Sequence, residues 1–240
     1  MENSNIKLIQ GNCLEVMEKI QEDSVDMVFS SPPYNCGKGK MYEYYPDNLS
    51  DEDYFQLLHK SLAACLRICK GLTFFNLNFM NSNRGTILRW LSCNNWALKD
   101  IVVWDKLNCQ PPIGNIFGKR CEFIFVFAKS EVEINNFREN KAKNYKNIFG
   151  NWLSNICQIS IKQDTLDSKE HRAGFPTSLP RVFIDIYTNK GDTVLDPFSG
   201  CGTTGMACRE LGRNYIGIEL TEEYNNKANK RLYNVQEGLF

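Results

Sequence analysis

The stretch at residues 193–204 reads TVLDPFSGCGTT and places small residues directly behind a short apolar run. The apolar run predicts a buried strand, and the glycines behind it allow a tight turn and a close approach of the backbone to a ligand. Thr203 and Thr204 then open a predicted helix at 203–211. The stretch is therefore predicted to form a strand–loop–helix unit, which is the repeating unit of an α/β fold.

Strands and helices alternate outward from this unit. The predicted strands are residues 6–10, 25–30, 72–77, 98–104, 121–128, 193–196 and 215–219. The predicted helices are a short one after residues 11–12, then 51–69, 84–93, 177–187, 203–211 and a last one that ends near Tyr233. Such alternation predicts a mostly parallel sheet that is covered on both faces and collects ligands beyond the carboxyl ends of its strands.

Length and composition fit one domain with a full core, since the chain has 240 residues of which 42% are hydrophobic. Basic and acidic residues balance at 28 each, so no global positive field indicates a nucleic-acid partner. Ten cysteines without a Cys-x-x-Cys pair, and only two histidines, indicate reduced thiols and no metal site. The polar amino terminus and the lack of a long apolar stretch predict a cytoplasmic protein that does not bind membranes.

The segment DPFSGCGTT at 196–204 is more specific than its glycines alone. It resembles motif I of the amino-directed DNA methyltransferases, which use S-adenosylmethionine. Glu219 ends the next predicted strand, where a carboxylate can accept hydrogen bonds from both hydroxyls of a ribose. From the residues alone two simpler interpretations stay open: a turn that holds no ligand, and a Glu219 that only caps the following helix.

Ser31-Pro32-Pro33-Tyr34 follows the strand predicted at 25–30 and resembles motif IV of the same family. An exocyclic amino nitrogen is a poor nucleophile because its lone pair is delocalised into the ring of the base. The Ser31 hydroxyl and the Pro32 carbonyl are predicted to accept its two hydrogens, so that the lone pair points at the methyl group. The two prolines stiffen that carbonyl. Tyr34 is predicted to stack on a base turned out of the duplex. A rigid turn without chemistry is the alternative for these four residues taken alone.

The first residue of motif IV carries the choice of base. In the family, Ser-Pro-Pro-Tyr or Ser-Pro-Pro-Phe belongs mostly to enzymes that make N4-methylcytosine, and a leading Asp or Asn mostly to those that make N6-methyladenine. Residues 29–34, FSSPPY, are similar to the cytosine form, except that Ser30 stands where Thr is usual. The expectation is methylation of cytosine N4, with adenine N6 as the alternative.

The order of the two motifs, catalytic first and cofactor last, resembles the β group of the family. It implies a doubly wound, mostly parallel seven-stranded sheet of the class I methyltransferase type, circularly permuted, with a small recognition insertion. The implied division is 1–129 for the catalytic half of the domain, 130–168 for target recognition and 169–240 for the cofactor-binding half of the same domain. Residues 130–168 are rich in Asn, Lys and Glu and lack the alternation of strands and helices. An ordinary solvent-exposed loop would show the same pattern.

Two further stretches resemble cofactor motifs. Asn12 stands where the β group has Asp in Gly-Asp-Cys, and its amide oxygen is expected to face the adenine instead. Residues 171–180, HRAGFPTSLP, resemble motif X, which holds the methionine end of the cofactor at the amino end of a helix. Thr177 is also the predicted cap of that helix by its position. The whole predicted cofactor set is Asn12, Cys13, Ser31, Phe175, Thr177, Asp196, Phe198, Ser199, Gly200, Gly202, Thr203, Thr204, Glu219 and Leu220.

The resemblance implies double-stranded DNA as the partner. Phosphate contacts are expected from Lys38, Lys40, Lys141 and Lys143, although solvated lysines would look the same. A homodimer and a cognate restriction enzyme acting separately are further expectations. Two other functions compete: a non-catalytic partner subunit with this fold, and methylation of RNA or of a glutamine amide. The intact motifs argue against the first, and the leading serine with no extra recognition domain argues against the second.

Overall fold

The computed structural model describes residues 4–36, 47–107, 120–129, 154–160 and 174–233. Its strands are β1 (Ile6–Gln10), β2 (Met27–Ser30), β3 (Thr73–Leu77), β4 (Leu98–Asp105), β5 (Cys121–Phe127), β6 (Ile156–Gln158), β7 (Thr193–Asp196) and β8 (Asn214–Glu219). Its helices are α1 (Cys13–Glu18), α2 (Asp51–Ile68), α3 (Arg84–Cys93), α4 (Ser178–Tyr187), α5 (Thr203–Leu211) and α6 (Glu222–Tyr233). The predicted elements are therefore all present, with ends that differ by one or two residues.

One sheet joins the strands of the described residues in the order β1-β8-β7-β2-β3-β5-β4-β6. β5 runs antiparallel to β3 and β4, and the other neighbours are parallel. The predicted mostly parallel α/β sheet is confirmed, but the predicted count of seven strands is one too few. β6 adds the eighth strand beside β4 and lies within 130–168, where three residues are too short a run to show a strand period. The circular permutation stays a prediction.

The sheet order brings the two motifs together. β7 and β2 are parallel neighbours, with Met27 opposite Val194 and Val28 opposite Leu195. Both strands lead into loops at the same edge of the sheet, because parallel strands share their carboxyl ends. The loop after β7 carries the glycines, and the loop after β2 begins with Ser31. Residues more than 160 positions apart in the sequence thus face one another across this edge.

Two apolar layers cover the sheet. Val28 of β2 packs into the layer beneath α1, α2 and α3, whereas Met27 and Phe29 pack into the layer beneath α4, α5 and α6. A strand buried on both faces must be apolar at successive positions, which explains the continuous runs in β2 and β3. Each large side chain so buried contributes about 1.5–3 kcal/mol. The central strands are therefore held firmly, and the loops at their ends have a rigid base.

Helix α2 forms one wall beside these loops. It begins after Ser50, whose hydroxyl accepts a hydrogen bond from the Asp53 amide at 3.1 Å and donates one to the Asp53 carboxylate at 2.6 Å. It ends before Gly71, where an added Cβ would lie 2.0 Å from the carbonyl oxygen of Asp26. Among the described residues no helix is long and apolar enough to cross a membrane.

Candidate active site

A cavity of about 470 Å³ opens at the carboxyl ends of β1, β2, β7 and β8. It is closed on one side by α2 and on another by the start of α6. Its lining is Gly11, Asn12, Cys13, Leu14, Ser31, Pro33, Leu49, Asp53, Gln56, Leu57, Lys60, Pro197, Phe198, Gly200, Ile218, Glu219, Leu220 and Tyr224. A cavity of this size with a mainly apolar wall and a few polar groups suits a small organic ligand.

Both predicted motifs contribute to this cavity. Seven residues of the predicted cofactor set line it, namely Asn12, Cys13, Ser31, Phe198, Gly200, Glu219 and Leu220, together with Pro33 of motif IV. The other nine predicted residues are not part of this lining: Pro32, Tyr34, Phe175, Thr177, Asp196, Ser199, Gly202, Thr203 and Thr204.

The glycine loop and Glu219 hold each other in place. Gly200 and Gly202 have φ values of 52° and 76°, a region that side chains with a Cβ rarely adopt. The Gly200 amide donates to one carboxylate oxygen of Glu219 at 2.9 Å, and the amide and hydroxyl of Thr221 donate to the other, each at 2.9 Å. Glu219 therefore both lines the cavity and fixes the turn that precedes α6, so the two interpretations of this residue apply together.

Ser199 ties the loop to the sheet instead of facing the cavity. Its hydroxyl lies 2.9 Å from the Tyr215 hydroxyl, and its amide donates to the Ile218 carbonyl at 2.9 Å. Both partners belong to β8, which also ends in Glu219. The loop is thus anchored on β8 at two points and is set before any ligand arrives.

Asp196 is a carboxylate buried beneath the loop. Its Oδ1 accepts hydrogen bonds from the Ser30 hydroxyl at 2.5 Å and from the Phe198 amide at 3.1 Å. Burial raises the pKa of Asp196 to about 6, against the lowering effect of these hydrogen bonds. No lysine or arginine of the described residues forms an ion pair with it. The site therefore contains a buried carboxylate that has no cationic partner within the part of the chain that the structure describes.

The loop after β2 is held by hydrogen bonds to its main chain. The Pro33 carbonyl accepts from the Tyr54 hydroxyl at 2.9 Å, and the Tyr34 carbonyl accepts from the Asn83 side-chain amide at 2.5 Å. The next two amides, those of Asn35 and Cys36, donate to the buried carboxylate of Asp47 at 2.7 and 2.8 Å. This clamp explains how Asn35 keeps a φ of 52°.

The two predicted acceptors, in contrast, keep free capacity. No donor of the described residues bonds to the Pro32 carbonyl. The Ser31 hydroxyl donates its proton to the main-chain carbonyl of Asn76 at 3.1 Å, which leaves oxygen lone pairs on the serine. Ser31 lines the cavity and Pro32 follows it in the chain, so two acceptors in adjacent residues suit the capture of an amino group.

Tyr34 differs from its predicted open position. Its side chain is 5% exposed, and its hydroxyl donates to the Glu122 carboxylate at 2.7 Å and accepts from the Asn76 amide at 2.9 Å. Little of the ring is open to a base in this structure. Stacking of a base on Tyr34 stays a prediction, and it requires that the loop open.

Three residues predicted to contact the cofactor have other surroundings than expected. The Asn12 side chain, expected to face an adenine, accepts a hydrogen bond from the Leu14 amide at 2.9 Å and so caps α1, although it also lines the cavity. Thr177 precedes α4 as predicted, but its backbone is already helical and its side chain makes no capping hydrogen bond. Phe175 packs edge-on against Phe29 in the core, with ring centres 5.7 Å apart.

Sequence reasoning missed the wall that α2 contributes. Asp53, Gln56 and Lys60 line the cavity at a spacing of three and four residues, which places them on one side of the helix. Their polar stripe beside the apolar stripe was the available signal. Tyr224 of α6 was missed as well. The four lysines predicted to contact phosphates, Lys38, Lys40, Lys141 and Lys143, lie outside the described residues.

Comparison with known proteins identifies the family. The family model of the N6/N4 DNA methylases matches residues 25–230. The type II methyltransferase M.HinfI of Haemophilus influenzae is 31% identical over 252 residues, covering 95% of this chain and 68% of the relative. The solved structure of M1.HpyAVI in complex with SAM is 27% identical, with a TM-score of 0.65 over 95% of this chain and 99% of its own.

The fold is that of the class I methyltransferases. The cytosine-N4-specific PvuII DNA methyltransferase superposes with a TM-score of 0.77 over 99% of this chain and 89% of its own, at 22% identity. The matched family region includes both the loop after β2 and the glycine loop. With a family model across most of its length and a relative 31% identical over 95% of it, the chain belongs to the N6/N4 DNA methylase family.

Proposed function

We propose that this DNA methyltransferase transfers a methyl group to N4 of a cytosine turned out of double-stranded DNA. The observation that carries the proposal is a pair of available acceptors in adjacent residues, Ser31 in the cavity lining and Pro32 next to it in the chain. The Ser31 hydroxyl donates its hydrogen bond to the Asn76 carbonyl, and the Pro32 carbonyl accepts no hydrogen bond from the described residues. An amino group has two hydrogens to donate, and two fixed acceptors can take both.

S-adenosylmethionine is the cofactor, and it supplies a methyl group on a sulfonium cation. The residues of the cavity fit this molecule. Glu219 presents a carboxylate at the end of β8, where a ribose can donate to it, and the glycine loop removes side chains from the approach. The buried Asp196 forms no ion pair with a lysine or arginine of the described residues, so its negative charge favours a cationic ligand nearby. These groups would bind the cofactor and orient it toward motif IV.

The chain's own groups then set up the transfer. Ser31 and Pro32 accept the two amino hydrogens, which draws the nitrogen towards a tetrahedral geometry and directs its lone pair at the methyl carbon. S-adenosylmethionine, when bound, would supply the methyl group and leave as the neutral thioether, and the methylated nitrogen would release one of its protons to solvent. The clamp on the residues after Pro32 holds the acceptors rigidly. The base must leave the helix because its nitrogen cannot be reached inside the duplex.

The choice of cytosine rests on the leading serine of motif IV. Nucleosides from DNA methylated with labelled cofactor, separated and weighed by mass spectrometry, test it. We expect N4-methylcytosine. N6-methyladenine alone would overturn the choice of base and leave the transfer itself standing. Replacement of Ser31 by Ala should slow transfer while cofactor affinity, measured by calorimetry, stays within about twofold; unchanged transfer would contradict the role of motif IV.

Partners follow from the same reaction. DNA phosphates are proposed to contact Lys38, Lys40, Lys141 and Lys143, and residues 130–168 are proposed to read the target sequence. The relative M.HinfI is named a type II methyltransferase, which supports a cognate restriction enzyme that acts separately. A homodimer would enlarge a short recognition region. Light scattering over a range of concentrations tests the dimer, which a constant mass near 27.7 kDa would exclude.

A further inference from the structure

Glu122 is a buried acid that the proposed reaction does not use. It lies in β5, an otherwise apolar strand, and its side chain is 10% exposed. One carboxylate oxygen accepts hydrogen bonds from the Tyr34 hydroxyl at 2.7 Å and the Asn76 amide at 2.8 Å, and the other pairs with the Lys106 ammonium. None of Glu122, Asn76 and Lys106 lines the cavity that the described residues form. Asn76 of β3 and Glu122 of β5 therefore lie on the other side of β2 from β7 and β8, the strands that carry the glycine loop and Glu219.

A buried ion pair is weak evidence for stability, because the cost of removing two charges from water offsets their attraction. What such a pair does reliably is orient the groups that bond to it. An ionised carboxylate can only accept hydrogen bonds. Tyr34 and Asn76 must therefore each turn a donor towards Glu122, as Lys106 does, and the direction of the hydrogen bonds among them follows.

The Tyr34 hydroxyl has one hydrogen, which it donates in its hydrogen bond to Glu122. The tyrosine oxygen is left to accept, which it does from the Asn76 amide at 2.9 Å. The Ser31 hydroxyl lies 3.4 Å from the same tyrosine oxygen and 3.1 Å from the Asn76 carbonyl. With Tyr34 unable to donate, the serine proton points at one of these two acceptors. The serine lone pairs are thereby kept for the substrate.

We propose that Glu122 is a positioning residue for motif IV. Because it accepts the hydrogen bond of the Tyr34 hydroxyl, the Ser31 oxygen is kept as an acceptor for the amino group of the base. The proposal rests on the proposed function. Without the carboxylate, the Tyr34 hydroxyl can turn and donate to Ser31, where it competes with the amino group for the same lone pairs. Lys106 supplies the opposite charge that lets the carboxylate remain buried.

The test is a double-mutant cycle between Glu122→Gln and Tyr34→Phe, read as the single-turnover rate of methyl transfer to DNA at saturating cofactor. Glutamine keeps the size of the side chain but can donate, and phenylalanine keeps the ring but has no hydroxyl. We expect Glu122→Gln to lower the rate about tenfold, which corresponds to about 1.4 kcal/mol. In the Tyr34→Phe background the same substitution should change the rate by less than about threefold, since residues in one network are not additive.

Cofactor affinity and the concentration of active sites, both from titration with labelled cofactor, should stay unchanged in Glu122→Gln. A structural role would lower these values and leave the rate per active site intact, and that result would overturn the proposal. Equal rate losses in both backgrounds would overturn it as well. The matched control is Asp105→Asn, which weakens the ion pair between the end of β4 and Arg120, the residue before β5, without touching Tyr34; its rate per site should not change.

Two further outcomes are distinct. If Glu122→Gln does not fold, Glu122→Asp replaces it in the same cycle, because the shorter carboxylate withdraws from Tyr34 but keeps its charge beside Lys106: a rate loss that shrinks below about threefold in the Tyr34→Phe background supports the proposal, and equal losses in both backgrounds overturn it. If the wild-type protein transfers no methyl group to DNA, the proposed function and the role of Glu122 fall together. If the wild type is active but the cycle shows no coupling between Glu122 and Tyr34, only the proposed role of Glu122 is overturned.

Discussion

The Ser30 hydroxyl lies 2.5 Å from a carboxylate oxygen of Asp196, and this hydrogen bond joins the strand before motif IV to the strand before the glycine loop. The two residues are 166 positions apart in the sequence. Ser30 is fully buried, so the bond is shielded from water. The Ser30 hydroxyl therefore lowers the pKa of Asp196 against the larger raising effect of burial, and two predictions concern this pair.

Replacement of Ser30 by Ala should make cofactor binding more sensitive to acid. The hydroxyl stabilises the ionised carboxylate, and its loss raises the pKa of Asp196 further above about 6. A hydrogen bond to a charged group is worth about 1.5–3 kcal/mol, so the acid midpoint should rise by about one pH unit or more. Calorimetric titration of S-adenosylmethionine between pH 5 and 8 measures it, with affinity falling as the pH falls.

The control is Ser30→Thr, which keeps the hydroxyl. We expect its midpoint to stay near that of the wild type, although the added methyl group must fit a fully buried site. Identical pH profiles for Ser30→Ala and wild type would mean that Asp196 does not govern binding of the cation.

Asp196→Asn should stabilise the free protein at neutral pH. The pKa of Asp196 is about 6 when folded against an ordinary 3.8, so the folded state binds its proton more tightly. Ionisation thus costs the wild type stability as the pH rises from about 4 to 6, on the order of 2–3 kcal/mol in full. Below this range both states are protonated and the cost disappears.

The measurement is urea unfolding of both proteins at pH 4.5 and 7.5. The advantage of Asp196→Asn should be larger at pH 7.5, by about 2 kcal/mol. Cofactor affinity should fall in the same variant, because the buried charge serves the ligand at the expense of the fold. An advantage that does not depend on pH would contradict this account of Asp196.

The parts of the site that could be predicted from the sequence are those with a local signature. A short apolar run followed by glycines or prolines specifies a strand end and its loop within about ten residues, and all these loops were found where expected. Glu219 was predicted from its place at the next strand end. These features depend on neighbours in the chain, and a single sequence contains that information.

The network around Tyr34 could not be predicted in this way. It joins Tyr34 to Asn76 and Glu122 over separations of 42 and 88 residues. An acid within an apolar strand was a visible signal at Glu122, but its partner depends on which strands become neighbours. Asn12 shows a different difficulty. Its side-chain oxygen suits an adenine or a helix start equally well, and only the geometry of α1 shows that it caps the helix.

Gly205→Ala should weaken cofactor binding through the packing of α5 on β8. An added Cβ would lie 2.7 Å from the Tyr215 ring and 3.1 Å from Leu232, and Tyr215 is fully buried. The ring must move, and its hydroxyl anchors Ser199 of the glycine loop. We expect a loss of about 1–3 kcal/mol in unfolding free energy and a weaker affinity for the cofactor.

Two variants separate these effects. Gly85→Ala in α3 is the matched control, since its Cβ meets nothing within 4 Å; it should stabilise by about 0.5–1 kcal/mol. Tyr215→Phe keeps the ring and removes only the bond to Ser199, so it should weaken cofactor binding with little loss of packing. Full cofactor affinity in Gly205→Ala would show that the loop does not depend on this anchor.

Asn83→Ala should impair methyl transfer more than cofactor binding. Its amide nitrogen donates to the Tyr34 carbonyl at 2.5 Å and to the Asn78 carbonyl at 3.1 Å, and its oxygen accepts from the Met80 amide at 2.7 Å. The side chain is fully buried, so its removal leaves these main-chain groups without partners, at a cost of about 2–4 kcal/mol.

The substitution is expected to disturb mainly the loop after β2, because the Asn83 side chain donates to that loop and does not line the cavity. Urea unfolding, cofactor calorimetry and single-turnover transfer together measure it. Asn83→Asp is the discriminating variant: it still accepts from Met80 but cannot donate to Tyr34, so transfer should fall nearly as far as in Asn83→Ala. If cofactor affinity drops in parallel with transfer in both variants, the clamp supports the whole site rather than the acceptors of motif IV.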